Sequence, residues 1–115
     1  MVKVNPFAAL RPRPDVADKV AADLRELEAI AVEADLFVIS DEVYEHMVFD
    51  GRAHASVLRR PALADRSFVV SSFGKTFHCT GWKVGYCIAP PALTVEVRKV
   101  HQFVQFAVAS PLQAG

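Results

Sequence analysis

Residues 35–44 read Asp-Leu-Phe-Val-Ile-Ser-Asp-Glu-Val-Tyr, with four apolar side chains, Leu36 to Ile39, closed by the acidic pair Asp41 and Glu42. A run this short and this continuously apolar suits a strand buried on both faces, as in a parallel sheet covered by helices. Ser67 to Ser72 repeats the texture with Phe68, Val69 and Val70, and Val84 to Ala89 does so more weakly around Gly85. Before the first run, Val16, Val20, Leu24, Leu27, Ala31 and Ala34 recur at steps of three and four. They predict an amphipathic helix opened by Asp15. After the third run, Pro91 followed by Leu93, Val97, Val100, Val104 and Val108 predicts a second helix with proline in its first turn. Between the first two strands, a polar connection around Gly51 and His54 leads to a short helical piece near Ser56 to Leu63, interrupted at Pro61. Strands alternating with helices define an α/β class.

The length of 115 residues sets one small domain. Three doubly buried strands need more cover than two helices supply. The pattern therefore predicts a partial three-layer sandwich that either self-associates or belongs to something larger. Met1 to Pro14, with Pro6, Pro12 and Pro14, reads as an irregular lead-in, and residues 15–115 as the folded part. Thirteen basic against thirteen acidic residues give no net charge, which argues against a nucleic-acid or polybasic membrane partner. No apolar run reaches the roughly 18–20 residues of a membrane span. Two cysteines, Cys79 and Cys87, make no disulfide scaffold, so a reducing, cytoplasmic setting is expected.

Chemistry is expected where strands end, because ligands of open α/β sheets gather at their carboxyl ends. Asp41 and Tyr44 follow the first strand, Ser72 and Lys75 close the second, and Lys83 precedes the third. Gly74-Lys75-Thr76 mimics the end of a phosphate loop, but the position of its first glycine is Val69, in mid-strand. Cys79, Cys87 and the histidines 46, 54, 78 and 101 lack metal-ligand spacing, and no Gly-x-Ser-x-Gly elbow is present. Schiff-base chemistry at Lys75 stays open, since a lysine amine of lowered pKa attacks carbonyls. A solvated surface lysine is the plain alternative.

Two segments now carry a resemblance. Asp35 to His46, and Ser71-Ser-Phe-Gly-Lys-Thr-Phe-His-Cys-Thr-Gly-Trp-Lys-Val-Gly-Tyr86, resemble the large domain of class I/II pyridoxal-phosphate aminotransferases of fold type I. The kynurenine, glutamine-phenylpyruvate and methionine branch is the most similar, and the likeness runs from about Leu24 to Gly115. It implies amino-group transfer from an amino acid to a 2-oxo acid, with pyridoxal 5'-phosphate as cofactor and a homodimer in complete members. By position it makes Lys75 the Schiff-base lysine and proton carrier. Asp41 becomes the partner of the pyridine nitrogen, Tyr44 that of the ring oxygen, and Ser72 and Lys83 those of the phosphate. Many relatives carry arginine where Lys83 stands, and a lysine there is a point charge. Trp82 and Gly81 are read as packing and turn residues, and Glu42 and His46 as structural hydrogen-bonders. The family's Asn-Pro-x-x-Pro-Thr-Gly motif has no counterpart in Leu10 to Lys19, and Asn5-Pro6 stands at the wrong distance. The upstream phosphate turn, the stacking aromatic ring and the substrate-carboxylate arginine are not found either. The expectation is therefore an internal piece of such an enzyme, weak or inactive alone. A non-catalytic remnant serving as an inert or interaction module is the rival.

Overall fold

A computed structural model describes residues 14–49 and 51–111, with side chains from residue 18 onward. The expected lead-in up to residue 13, Asn5-Pro6 included, lies outside the described residues. Helix α1 spans Pro14–Glu33, strand β1 Val38–Asp41, helix α2 Pro61–Ala64 and strand β2 Ser67–Ser72. They are followed by the single-turn helix α3 at Phe73–Thr76, strand β3 at Gly85–Ile88 and helix α4 at Pro91–Val104. Asp15 thus falls inside the first turn of α1. Pro61 opens α2 at its first position, where its missing N–H has no helical partner to lose.

The sheet has the order β1-β2-β3. Val38 to Asp41 pair in parallel with Ser67 to Val70, while Val69 to Ser72 pair antiparallel with Ile88 to Gly85. Connection length explains the difference. Residues 42–66 include α2 and suffice for a crossover, whereas 73–84 hold only one helical turn and fold the chain straight back.

Alternation sorts the sheet's two faces. Ser67, Val69 and Ser71 are buried on one, and Phe68, Val70 and Ser72 are half-buried on the other. The buried face packs Val69 against Ala31, Val57 and Leu63, with Leu24, Leu27 and Val38 around them. Only the middle of the α1 stripe enters this core, since Val20 is exposed. Arg66 locks the end of α1 by donating from Nη1 to the carbonyls of Ala31 (3.1 Å) and Leu36 (3.4 Å) and to Asp35 (3.2 Å). An ion pair between Arg60 and Glu28 joins α1 to the start of α2.

The other face carries no covering layer over β1 and β3 among the described residues. Ile39 is 76% exposed, every residue of β3 is exposed, and α4 buries none of its side chains. Of the strands expected to be buried on both faces, β2 is buried on one face and half-buried on the other, β1 is half-buried on one, and β3 is exposed on both. Among the described residues α1 and α2 contribute to the core and α4 does not, in keeping with the shortage of helix in the sequence. No helix among the described residues is long and apolar enough to cross a membrane.

Candidate functional site

Parallel pairing of β1 with β2 places both carboxyl ends on one edge of the sheet, and antiparallel β3 brings its beginning to the same edge. Asp41 is the last residue of β1, Ser72 the last of β2, and Gly85, the partner of Ser72, the first of β3. Tyr44 sits in the turn 43–46 after β1, Lys75 in α3 after β2, and Lys83 two residues ahead of β3. The five residues singled out from sequence thus line one rim.

Local chemistry shapes each approach. The Asp41 carboxylate accepts the Val43 N–H at 3.2 Å, which turns the chain sharply out of the strand. Gly74 is buried, and a Cβ there would lie 2.9 Å from the Thr80 Cα, so only glycine permits the fold-back of the loop after Lys75. The Gly74 carbonyl accepts from the Cys79 N–H and the Thr80 hydroxyl, both at 3.1 Å. Lys83 adopts a left-handed backbone with φ of 55°, closing the 3₁₀ turn Thr80–Trp82. It also lines a groove of about 670 Å³ beside Val97, Val100 and Val104 of α4.

The five side chains touch neither one another nor, apart from the Asp41 bond to its own turn, any other described polar group. Lys75, Lys83, Tyr44 and Asp41 are exposed and Ser72 is half-buried. Trp82, expected to pack, is 60% exposed, because its turn stands clear of the core.

Behind the rim lies a denser polar layer. The buried Glu42 carboxylate accepts hydrogen bonds from Ser40 Oγ (3.1 Å), His54 Nε2 (2.8 Å), Ser56 Oγ (3.1 Å) and the Val57 N–H (3.1 Å). Burial by itself raises this carboxyl, but bonds from Ser56, His54, Val57 and Ser40 together outweigh it and hold it below its ordinary value. Glu45 takes the Ser71 hydroxyl at 2.7 and 2.9 Å and the Tyr86 hydroxyl. The Tyr86 bond holds Glu45 below its ordinary value, and the same bond raises the Tyr86 phenol. A cavity of about 200 Å³ separates the two clusters, between Glu42, His54, Tyr86 and Ile88.

Glu42 is thus the structural hydrogen-bonder the sequence suggested. His46 is not, its ring being 65% exposed and 3.9 Å from Glu45. Sequence reading missed Glu45, Ser71 and Tyr86. The available signal was alternation: each flanks or nearly flanks a rim residue and, in the strands, must point to the opposite face. Among the described residues no group of three or more His, Cys, Asp and Glu side chains could hold a metal ion.

Residues 17–115 match the family described as aminotransferase class I and II. Methionine aminotransferase of Escherichia coli is 54% identical over 92 residues, covering 80% of this chain and 24% of the relative. Kynurenine–oxoglutarate transaminase 1 of Homo sapiens is 40% identical over 93 residues, covering 78% and 22%. Among solved structures, N-succinyldiaminopimelate aminotransferase from Mycobacterium tuberculosis superposes with a TM-score of 0.75 at 40% identity, covering 82% of this chain and 24% of that one. The chain spans about a quarter of the length of these relatives.

Proposed function

This chain belongs to the class I and II aminotransferases, and on that premise we propose that residues 15–115 supply the strand-end part of a pyridoxal-phosphate site for moving an amino group from an amino acid to a 2-oxo acid. One observation carries the reading. A carboxylate, a phenol, a hydroxyl and two amines stand on a single rim with little else to bond. That donor set matches, group for group, a basic ring nitrogen, a ring oxygen, a phosphate and an aldehyde.

When bound, pyridoxal phosphate supplies an aldehyde for amine capture and a ring that draws electrons from the substrate α-carbon. The Asp41 carboxylate accepts a hydrogen bond from the protonated ring nitrogen and keeps its proton in place. Tyr44 donates its hydroxyl proton to the ring oxygen. Ser72 Oγ and Lys83 Nζ hold the phosphate, the lysine as an unforked point charge. The Lys75 amine would hold the cofactor and would take up and return a proton at Nζ beside the substrate α-carbon. A dimer of the complete protein, amino-acid and 2-oxo-acid substrates, and a reducing, cytoplasmic compartment consistent with free Cys79 and Cys87 complete the reading.

Borohydride reduction with pyridoxal phosphate, followed by peptide mapping, tests it. The label is expected on Lys75 and is lost in Lys75→Ala. Even labelling of exposed lysines such as Lys19 and Lys99 overturns it. The uncovered face around Phe37 and Ile39 favours a second reading, a non-catalytic module whose sheet is completed by association. Sedimentation together with thermal melting decides that one, since a soluble, cooperatively melting monomer contradicts it.

A further inference from the structure

Three backbone segments meet at the rim: the turn 43–46, the end of β2 and the start of β3. Each carries a residue assigned above to the cofactor, namely Tyr44, Ser72 and, just before β3, Lys83. Each also carries a neighbour engaged on the far side: Glu45 beside Tyr44, Ser71 beside Ser72, and Tyr86 next to Gly85. These three neighbours bond to one another through a single carboxylate.

We propose that Glu45 is a positioning residue, whose carboxylate holds the Ser71 and Tyr86 hydroxyls together and so fixes Tyr44, Ser72 and Lys83 in mutual register. The role rests on the functional reading above. The turn's other hydrogen bonds are local, from the Val43 N–H to the Asp41 carboxylate (3.2 Å), the Glu45 N–H to the Glu42 carbonyl (3.0 Å) and the Met47 N–H to the Tyr44 carbonyl (2.8 Å), so none of them reaches β2 or β3. Ser71 Oγ also lies 3.5 Å from the Glu42 carbonyl, so one hydroxyl meets both ends of the turn. The brace reaches α3 as well. The Tyr86 ring packs on Phe73 with centroids 5.4 Å apart, and Phe73 is the first residue of the helix that bears Lys75. A low Glu45 pKa and a high Tyr86 pKa are what a charge-assisted bond between them produces. The charged or titratable groups around the pair are Glu42, His46 and His54.

The test uses the full chain as wild type, Glu45→Ala, Glu45→Gln, Tyr86→Phe and the Glu45→Ala/Tyr86→Phe double variant. Pyridoxal phosphate is titrated by absorbance, with borohydride mapping of Lys75. Removing one charge-assisted bond is expected to weaken binding about tenfold in Tyr86→Phe, which keeps the ring and its Phe73 contact. Glu45→Gln, which retains an acceptor oxygen, recovers part of the loss seen in Glu45→Ala. The double variant loses no more than the worse single one. Phenolate absorbance supplies a readout free of cofactor: the Tyr86 signal lies above the ordinary tyrosine range and returns toward it in Glu45→Gln. Should Glu45→Ala not fold, Tyr86→Phe and Glu45→Gln decide. A wild type labelled at Lys75 with unchanged binding in Tyr86→Phe overturns the brace alone. A wild type unlabelled at Lys75 overturns the site reading and the positioning role with it, whatever the phenolate shows.

Discussion

Replacing Glu42 by alanine removes the acceptor of four hydrogen bonds, from Ser40, His54, Ser56 and the Val57 N–H. The donors do not suffer equally. Ser40, His54 and Ser56 are half-buried and regain water, whereas Val57 is 3% exposed and its amide stays dry. A hydrogen bond to a charged group contributes about 1.5–3 kcal/mol, and an orphaned buried donor costs about 1–3 kcal/mol. Relief of the desolvation penalty on the carboxylate offsets part of this. A net loss of about 3 kcal/mol is expected, or roughly 10–20 °C in Tm for a domain of this size. Thermal and urea unfolding measure it. Glu42→Gln, which keeps the shape and one acceptor, should lose about half as much. The acid limb gives an independent check. The folded carboxyl lies below its ordinary value of 4.5, so its contribution is present above that pH and drains away as pH falls through the lower folded value. Glu42→Gln should flatten that limb. A Glu42→Ala variant within about 0.5 kcal/mol of wild type, with an unaltered acid limb, would refute the view that this carboxylate ties β1 to residues 54–57.

Gly85→Ala would place a Cβ 2.6 Å from the Ser71 carbonyl oxygen, a backbone atom that cannot give way cheaply. It should cost about 1–3 kcal/mol, with the loss of amide-exchange protection confined to the β2–β3 pair. Arg66→Ala removes the donor that closes α1 on the Ala31 and Leu36 carbonyls, and about 2 kcal/mol of destabilisation is expected in urea unfolding, with helix signal lost first. Uncoupled loss of helix signal is the distinguishing result, because the side-chain hydrogen bonds of Arg66 go to α1, α2 and residues 35 and 36, and none to a described strand.

Much of this arrangement is written locally. The apolar run Leu36 to Ile39, the stripe Leu24, Leu27 and Ala31, and Pro91 in the first turn of its helix are statements about nearest neighbours, and each element forms near its expected place. The rim residues were legible for the same reason, since the last residue of a strand is defined by where the apolar run stops. The direction of β3 was not. It followed from a connection too poor in helix to cross the sheet, a property of the whole segment 73–84.

The polar layer behind the rim depends still more on tertiary structure. Glu42 meets His54, Ser56 and Val57 only because the crossover returns there, and Glu45 meets Ser71 and Tyr86 only because three segments converge at one edge. Sequence alone determined which side chains can do chemistry and which strand ends bear them, because residue type and alternation are local. Which carboxylate gathers hydroxyls from other segments and which bonds only its own turn was decided by the fold, because a hydrogen bond across 26 or 41 positions exists only once the chain has brought its ends together.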